Sequence, residues 1–362
     1  MKTATYDMTY DQPRRTSRRW LRIVRNLLIT AIVAGIGWFG YQLYQSAANL
    51  TGNKNPLSLL GGLAPASLKQ TDGRTNILLA GYSNDDPDHS GADLTDSIMI
   101  LSVDTKDDND AVMISVPRDL YVEIPGYGYS KINAAYEYGE QNDFSESGYP
   151  DGGMGLLEKT ISQNFGVQFN YYALLNYGAF RSAVDAVGGV TVDIQSSNPN
   201  GLYDPNTNLK LANGSTELDG QQALDLARSR GEGYGSYGFA QGDFTRTANQ
   251  QKLLLALKGK IGSASVVANP LKVAQLSNAV GDNVKTDMTV GEMETLYGKT
   301  KGLSDGSIKS VTLNDYNDEN LLASYTTRYG QSALIPAAGL DDFSEIQAAV
   351  RSLLNGDTTA QQ

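Results

Sequence analysis

The run SIMILSVDTKDDNDAVMISVPRD, residues 97–119, decides the architecture. Two apolar segments, 97–103 and 111–116, flank the acidic turn Asp107-Asp108-Asn109-Asp110. Each is a near-continuous run of Ile, Val, Met and Leu, the pattern of a strand covered on both faces, and the turn joins them as a hairpin. A third run, Asn76-Ile-Leu-Leu-Ala80, stops at Gly81. Further strand patterns occupy residues 171–175 and 190–194. Between and after them lie helical patterns at 131–140, 154–164 (stopped by Gly166), 180–187 (closed by Gly188-Gly189), 219–228 and 243–258. Asp219 with Gln222 three residues on is a capping-box start, and Asp243 is an expected N-cap. Strands interleaved with helices predict an α/β layered fold. Residues 271–354 continue with weaker helical patterns and one strand near 308–313, and no internal repeat is present.

The chain has 362 residues, a net charge of −11, no cysteine and one histidine, His89. These counts exclude disulfides, cysteine-based zinc sites and a thiol nucleophile. His89 sits among turn formers, and no catalytic role is expected of it. An apolar content of 40% fits a folded core. The charge is uneven: residues 1–25 carry net +5 and the remainder −16. An acidic body argues against a nucleic-acid partner.

The basic tip precedes a membrane segment. No charged residue occurs from Asn26 to Asn53, and residues 27–43 are mostly apolar, with Trp38, Tyr41 and Tyr44 toward the far end. A helix over residues 23–45 reaches the roughly 20 residues that span a bilayer. Arginines before it keep residues 1–22 in the cytoplasm, so the chain is expected to be single-pass in the cell membrane with its body outside. A cleaved export signal is the other reading, with Ser46-Ala47-Ala48 the nearest cleavage site. Residues 46–74, rich in Gly, Asn, Ser and Pro, read as a linker.

Four arginines stand at positions suited to chemistry. Arg118 follows a buried strand and a proline, at the end where open α/β sheets bind ligands. Arg228 and Arg230 point apart on one helix and converge only if the helix ends between them, as Gly231 suggests. Arg246 and Gln250 share a helix face, and Arg246 lies in a first turn that favours anions. Arginine's planar fork suits bidentate contact with phosphate oxygens. Together these residues describe a phosphate or pyrophosphate cradle; taken singly, each reads first as an ion pair with a surface carboxylate. Asp85, Asp86 and Asp88 after the first strand, and Asp93 and Asp96 before the second, can hold a hard divalent ion or serve as solvated turn residues. Residues 231–242, GEGYGSYGFAQG, read as a loop that closes over a substrate or as a plain connector.

The ordered set of these motifs resembles the LytR-CpsA-Psr family of bacterial envelope proteins. It comprises Asn76-Ile-Leu-Leu-Ala-Gly81, Thr95-Asp96-Ser97, Ser115-Val-Pro-Arg118-Asp119, Ile124-Pro-Gly-Tyr-Gly128 and Lys131-Ile-Asn-Ala-Ala-Tyr136. It continues with Asp185-Ala-Val-Gly-Gly-Val190, Leu218-Asp-Gly-Gln-Gln-Ala-Leu224, Ala227-Arg-Ser-Arg230, and Asp243-Phe-Thr-Arg246 with Gln250-Gln251. The match covers residues 75–260 and makes them the catalytic domain, with 261–362 an extension packed on it.

The resemblance implies a three-layer α/β/α domain with a central mixed sheet and a tunnel for a polyprenyl tail. It implies transfer of a glycopolymer, such as teichoic acid or capsular polysaccharide, from a polyprenyl-pyrophosphate carrier to peptidoglycan. That reaction is a phosphotransfer assisted by Mg2+, or Mn2+ in its place. Carried over by position, Arg118, Lys131, Arg228, Arg230, Arg246 and Gln250 bind the pyrophosphate, with Arg118, Arg246 and Asp96 catalytic. Asp96 takes a metal position. Ser83 stands where the family usually has an aspartate, with Asp85 or Asp86 as a shifted replacement or the metal resting on Asp96 alone, and Leu94 stands where the family usually has an arginine. Two other readings use the same site: a non-catalytic envelope regulator that binds polyprenyl phosphates, and a polyprenyl-pyrophosphate hydrolase.

Overall fold

Strand β1 (Arg74–Tyr82) is the axis of the molecule: it pairs antiparallel with β2 (Thr95–Asp104) on one side and parallel with β6 (Tyr171–Asn176) on the other. A computed structural model describes residues 66–82, 93–106, 110–261, 284–300, 303, 307–317 and 319–355. The expected membrane segment, residues 23–45, and residues 83–92, with Ser83, Asp85, Asp86, Asp88 and His89, lie outside them. Among the described residues no helix is long and apolar enough to cross a membrane.

The hairpin read from the sequence is present, β2 running antiparallel to β3 (Ala111–Ser115). Six strands form the central sheet in the order β11-β6-β1-β2-β3-β12. Its edges are β11 (Val284–Thr286), antiparallel to β6, and β12 (Ile308–Thr312), parallel to β3. Both edges come from the C-terminal hundred residues, which therefore complete the sheet. The sheet is mixed, as expected.

Side chains alternate across β1, and two apolar faces result. Leu78, Ala80 and Tyr82 pack on one face with helices α1 (Ala134–Gln141), α2 (Gly153–Phe165) and a C-terminal helix, Ser344–Asn355, through Tyr136, Leu157, Ile161 and Val350. Ile77 and Leu79 face the other way, toward Met293 and Leu296 of the helix Val290–Thr300. Beside that layer, α3 (Tyr177–Val187), α4 (Gly220–Arg228) and α5 (Asp243–Ile261) share a second core with β7 (Val190–Ile194) and β10 (Gly214–Leu218), built on Val184, Val190, Leu226 and Leu253. Gln251 of α5 fastens this layer to the sheet, donating to Ser115 Oγ at 2.9 Å and to the Val311 carbonyl at 3.2 Å.

Local signals explain most boundaries. Asp219 and Gln222 form the reciprocal capping box that starts α4. Gly166 and Gly188 adopt left-handed conformations that end α2 and α3. Other boundaries differ from expectation. Residues 128–131 form β5 (Gly128–Lys131), paired with β4 (Tyr121–Ile124), and α1 begins only at Ala134. Gly126 and Gly128 at positive φ make that turn, and the strand returning from it takes up Lys131, the residue expected to open the helix. Short pairs β8 (Leu202–Asp204) with β9 (Leu209–Leu211), and β13 (Leu322–Thr326) with β14 (Ser332–Pro336), also carry too few residues to show a period.

One buried acid sets a pH response. Glu158 of α2 lies in the interior, and burial, helped by Asp287, pushes its carboxyl up to about 8 against the pull of Lys69. The folded state therefore holds this proton more tightly than the unfolded chain. Ionisation costs nothing below the ordinary glutamate range and destabilises the fold increasingly as pH rises toward 8. Thermal unfolding should show Tm falling between pH 6 and 8, and Glu158→Gln should flatten that slope.

Candidate functional site

The C-terminal ends of β1, β3 and β6 and the start of β2 meet at one rim of the sheet. A cavity of about 290 Å³ opens there, between the sheet and helices α3, α4 and α5. Its wall divides in two. Leu79, Met99, Leu175, Phe180, Leu224, Leu253 and Leu254 make an apolar side. Asp96, Arg118, Arg228, Arg230, Arg246 and Gln250 make a charged side, joined by Asp204, Asn206, Thr207 and Glu232. Five of the six residues expected to bind pyrophosphate therefore line one cavity.

The charged side centres on two arginines and two aspartates. Arg118 Nη1 donates to Asp96 Oδ1 at 2.5 Å, and its Nε lies 3.5 Å from Asp119 and 3.8 Å from Asp243. Arg246 Nη2 lies 2.8 Å from Asp243 Oδ1 and donates to the Asp96 carbonyl at 3.2 Å. Asp243 opens α5, but its carboxylate turns to these arginines instead of capping the helix. Arg246 is only 5% exposed. Burial lowers its pKa from the ordinary arginine value despite Asp243. For Arg118 burial works the same way, but Asp96, Asp243 and Asp119 outweigh it and hold the pKa above that value.

These pairs are incompletely matched. The Nε groups of Arg118 and Arg246 and Oδ1 of Asp243 are buried without a hydrogen-bond partner among the described residues. An unmet buried donor costs about 1–3 kcal/mol. An oxyanion entering the cavity supplies acceptors to both guanidinium groups at once.

The remaining arginines are held by different devices. α4 ends at Arg228, and the backbone N–H groups of Arg230 and Gly231 then donate to Asp204 Oδ2 at 2.9 and 2.8 Å. This turn brings Arg228 and Arg230 into the same cavity. Arg228 lies 4.9 Å over the Tyr177 ring, and Arg230 pairs with Glu232 at 3.1 Å. Gln250 ties the rim together, accepting from Ser97 Oγ and donating to the Ala227 carbonyl.

Lys131 is placed differently. It pairs with Asp119 at 2.6 Å and does not line the cavity, so it meets Arg118 only through that shared aspartate. The reason is local: it ends β5 opposite Tyr121. The glycine-rich segment 231–242 is docked. Tyr237 exchanges both backbone hydrogen bonds with Tyr203, and Phe239 packs on the second core. Asp85 lies outside the described residues, and Asp93 is exposed away from the cavity.

Among the described residues no three His, Cys, Asp or Glu side chains gather as a metal set. A Mg2+ ion does not require such a set, since it takes one or two carboxylates plus phosphate oxygens and water. Asp96, on the charged side, fits that role. Asp204 and Asp243 escaped the sequence reading as site residues. Asp204 looks like an ordinary turn aspartate; for Asp243 the i,i+3 spacing to Arg246 was the available signal.

The LytR_cpsA_psr family model matches residues 40–334. The polyisoprenyl-teichoic acid--peptidoglycan teichoic acid transferase TagU of Oceanobacillus iheyensis is 32% identical over 227 residues, 63% of this chain and 63% of that protein. The probable cell wall biosynthesis protein LcpB of Corynebacterium glutamicum is 32% identical over 246 residues, 64% of this chain and 52% of that protein. The matched part thus spans less than two thirds of either relative. Among solved structures, Bacillus subtilis YwtF (TagT) with bound octaprenyl pyrophosphate lipid aligns with a TM-score of 0.54 at 20% identity, over 80% of this chain and 95% of that one. That likeness shows the fold.

The geometry makes Asp243 the counter-ion of a buried arginine pair. Asp243→Asn should lower stability by about 1–3 kcal/mol, less than a fully buried pair because 28% of its side chain meets solvent. Inorganic pyrophosphate should then raise Tm more in the variant than in the wild type, since the anion takes the place of the lost charge.

Proposed function

The chain belongs to the LytR-CpsA-Psr family, and from that premise we propose that it transfers a glycopolymer from a polyprenyl-pyrophosphate carrier to peptidoglycan or a related envelope acceptor. The observation that carries this reading is the two-sided cavity. An apolar wall suits the isoprenoid tail, and an arginine cluster with unmet buried donors suits its pyrophosphate. The relatives fit: TagU is named for teichoic acid transfer to peptidoglycan, and the TagT structure holds octaprenyl pyrophosphate.

The chemistry follows from charge. An acceptor hydroxyl oxygen attacks the sugar-bearing phosphorus, the bridging P–O bond breaks, and polyprenyl phosphate leaves. The product is a phosphodiester, and the hydroxyl proton passes to a base. Such transfers ask the protein mainly for alignment and charge neutralisation. Arg118 and Arg246 sit deepest and hold the pyrophosphate; Arg228 and Arg230 close on it from the end of α4. Gln250 fixes the rim through Ser97 and Ala227. Asp96, joined by Asp85, would hold Mg2+, which neutralises charge on the phosphates when bound. Asp96 also accepts from Arg118 Nη1, so the carboxylate that would hold the ion also positions this guanidinium beside the phosphates.

Place follows from the N-terminus. Residues 23–45 anchor the chain in the cell membrane, with residues 1–22 inside and the catalytic body outside, beside its lipid substrate. Residues 75–260 carry the site, and 261–362 complete the same domain.

Full-length protein in detergent, a polyprenyl-pyrophosphoryl oligosaccharide and phosphorus NMR test this. Mg2+-dependent cleavage that yields a new phosphodiester with peptidoglycan fragments is the expected result. Arg118→Ala and Arg246→Ala should each lose at least about 10²-fold, and Asp96→Ala should lose the Mg2+ dependence. Cleavage to free phosphate ends alone would mean a hydrolase, and binding without cleavage a regulator.

A further inference from the structure

The β4–β5 hairpin that pairs Lys131 with Asp119 builds a second surface. The pairs Tyr121 with Lys131 and Glu123 with Tyr129 lie opposite each other across β4 and β5, so all four side chains share one face. On that face Tyr129 stacks on Tyr121 at 5.8 Å, and Tyr325 of β13 reaches Tyr121 at 5.5 Å. At the turn of the same hairpin, Tyr127 stacks on Tyr138 at 5.3 Å. Tyr127 and Tyr129 remain 40% and 41% exposed. Each is thus a large ring held in place by a second ring, with much of its surface left in water.

Core packing does not account for this arrangement. Rings buried for hydrophobic gain end up covered, and phenylalanine serves as well. Here tyrosine recurs, and the hydroxyl of Tyr129 donates to Asp341 Oδ1 at 2.7 Å. Exposed aromatic faces rimmed by hydrogen-bonding groups mark a binding surface. Stacking beneath each ring fixes its pose, so little side-chain entropy remains to be lost on binding.

Two observations name the occupant. A sugar ring has an apolar face of C–H bonds and a rim of hydroxyls, which matches tyrosine faces flanked by acceptors. Glu123 and Asp341 set carboxylates beside the rings, which disfavours a polyphosphate chain and favours an uncharged glycan. Position adds to this: Lys131 at one end of the surface shares Asp119 with Arg118, and Arg118 lines the cavity. That end of the face is thus joined to the charged side of the cavity by two ion pairs through Asp119.

We infer that the tyrosine face of the β4–β5 hairpin, extended by Tyr325, binds the glycan strand of the acceptor and leads it toward Arg118. This deepens the transferase reading and rests on it.

Co-sedimentation of the full-length protein in detergent with purified peptidoglycan, stripped of protein and teichoic acid, is the test. The wild type should sediment. Tyr129→Ala and Tyr127→Ala, both at exposed positions, should each weaken retention at least fivefold, and Tyr129→Trp should restore it because the ring face is what binds. Affinity for octaprenyl pyrophosphate should be unchanged in all three. A wild type that stays in solution, or alanine variants that sediment as it does, would overturn the proposal. Sedimentation that responds to the tyrosines in a protein that ignores octaprenyl pyrophosphate would sink the transferase reading and leave the glycan surface standing.

Discussion

Everything at this site depends on keeping two guanidinium groups buried at the same rim of a sheet. Arg118 and Arg246 repel each other and have left much of their hydration behind. Alone, they would open the structure. Asp243 lies between them, within 2.8 Å of one and 3.8 Å of the other, and Asp96 takes the outer edge of Arg118. The pairing is enough to hold the arginines and too imperfect to satisfy them. Two Nε donors stay unmet. A site built this way has a standing demand for an anion with several oxygens.

The fold is arranged to meet that constraint. Arg118 leaves the end of β3, Asp96 starts β2, and Arg246 rides on α5. Gln251 pins α5 to Ser115 of β3 and Val311 of β12, so the helix carrying Arg246 is indexed against the strand carrying Arg118. β12 comes from the C-terminal region and pairs with β3. That region is thus part of the scaffold that sets the spacing between the two arginines. Asp204, buried among backbone donors, performs the matching task for Arg230.

Much of this was legible in the sequence. Strands β1, β2, β3 and β6 are legible as apolar runs, because strands covered on both faces admit little else, and β7 is legible by its alternation of buried Val and Ile with exposed Thr191 and Asp193. Helix α4 was fixed by its capping box and α2 and α3 by their terminal glycines. Arg118, Arg228, Arg230, Arg246, Gln250 and Asp96 were all expected at one site, and the structure gathers them at one cavity. What escaped shares a physical cause. The β4–β5 and β13–β14 pairs are too short to show alternation, and their turns decide them. Motif order places Lys131 among the phosphate binders, whereas its position at the end of β5 brings it to Asp119. The roles of Asp204 and Asp243 depend on contacts between elements, which no local pattern carries.

The central claim is that the cavity takes an isoprenoid pyrophosphate by its two unlike walls. The most direct measurement is a titration of the full-length protein in detergent with octaprenyl pyrophosphate and, in parallel, with octaprenol. The account predicts that the pyrophosphate binds at least tenfold more tightly, and that Arg246→Ala removes this preference while leaving octaprenol binding unchanged. Equal affinity for the two lipids, or a preference that survives Arg246→Ala, would contradict it.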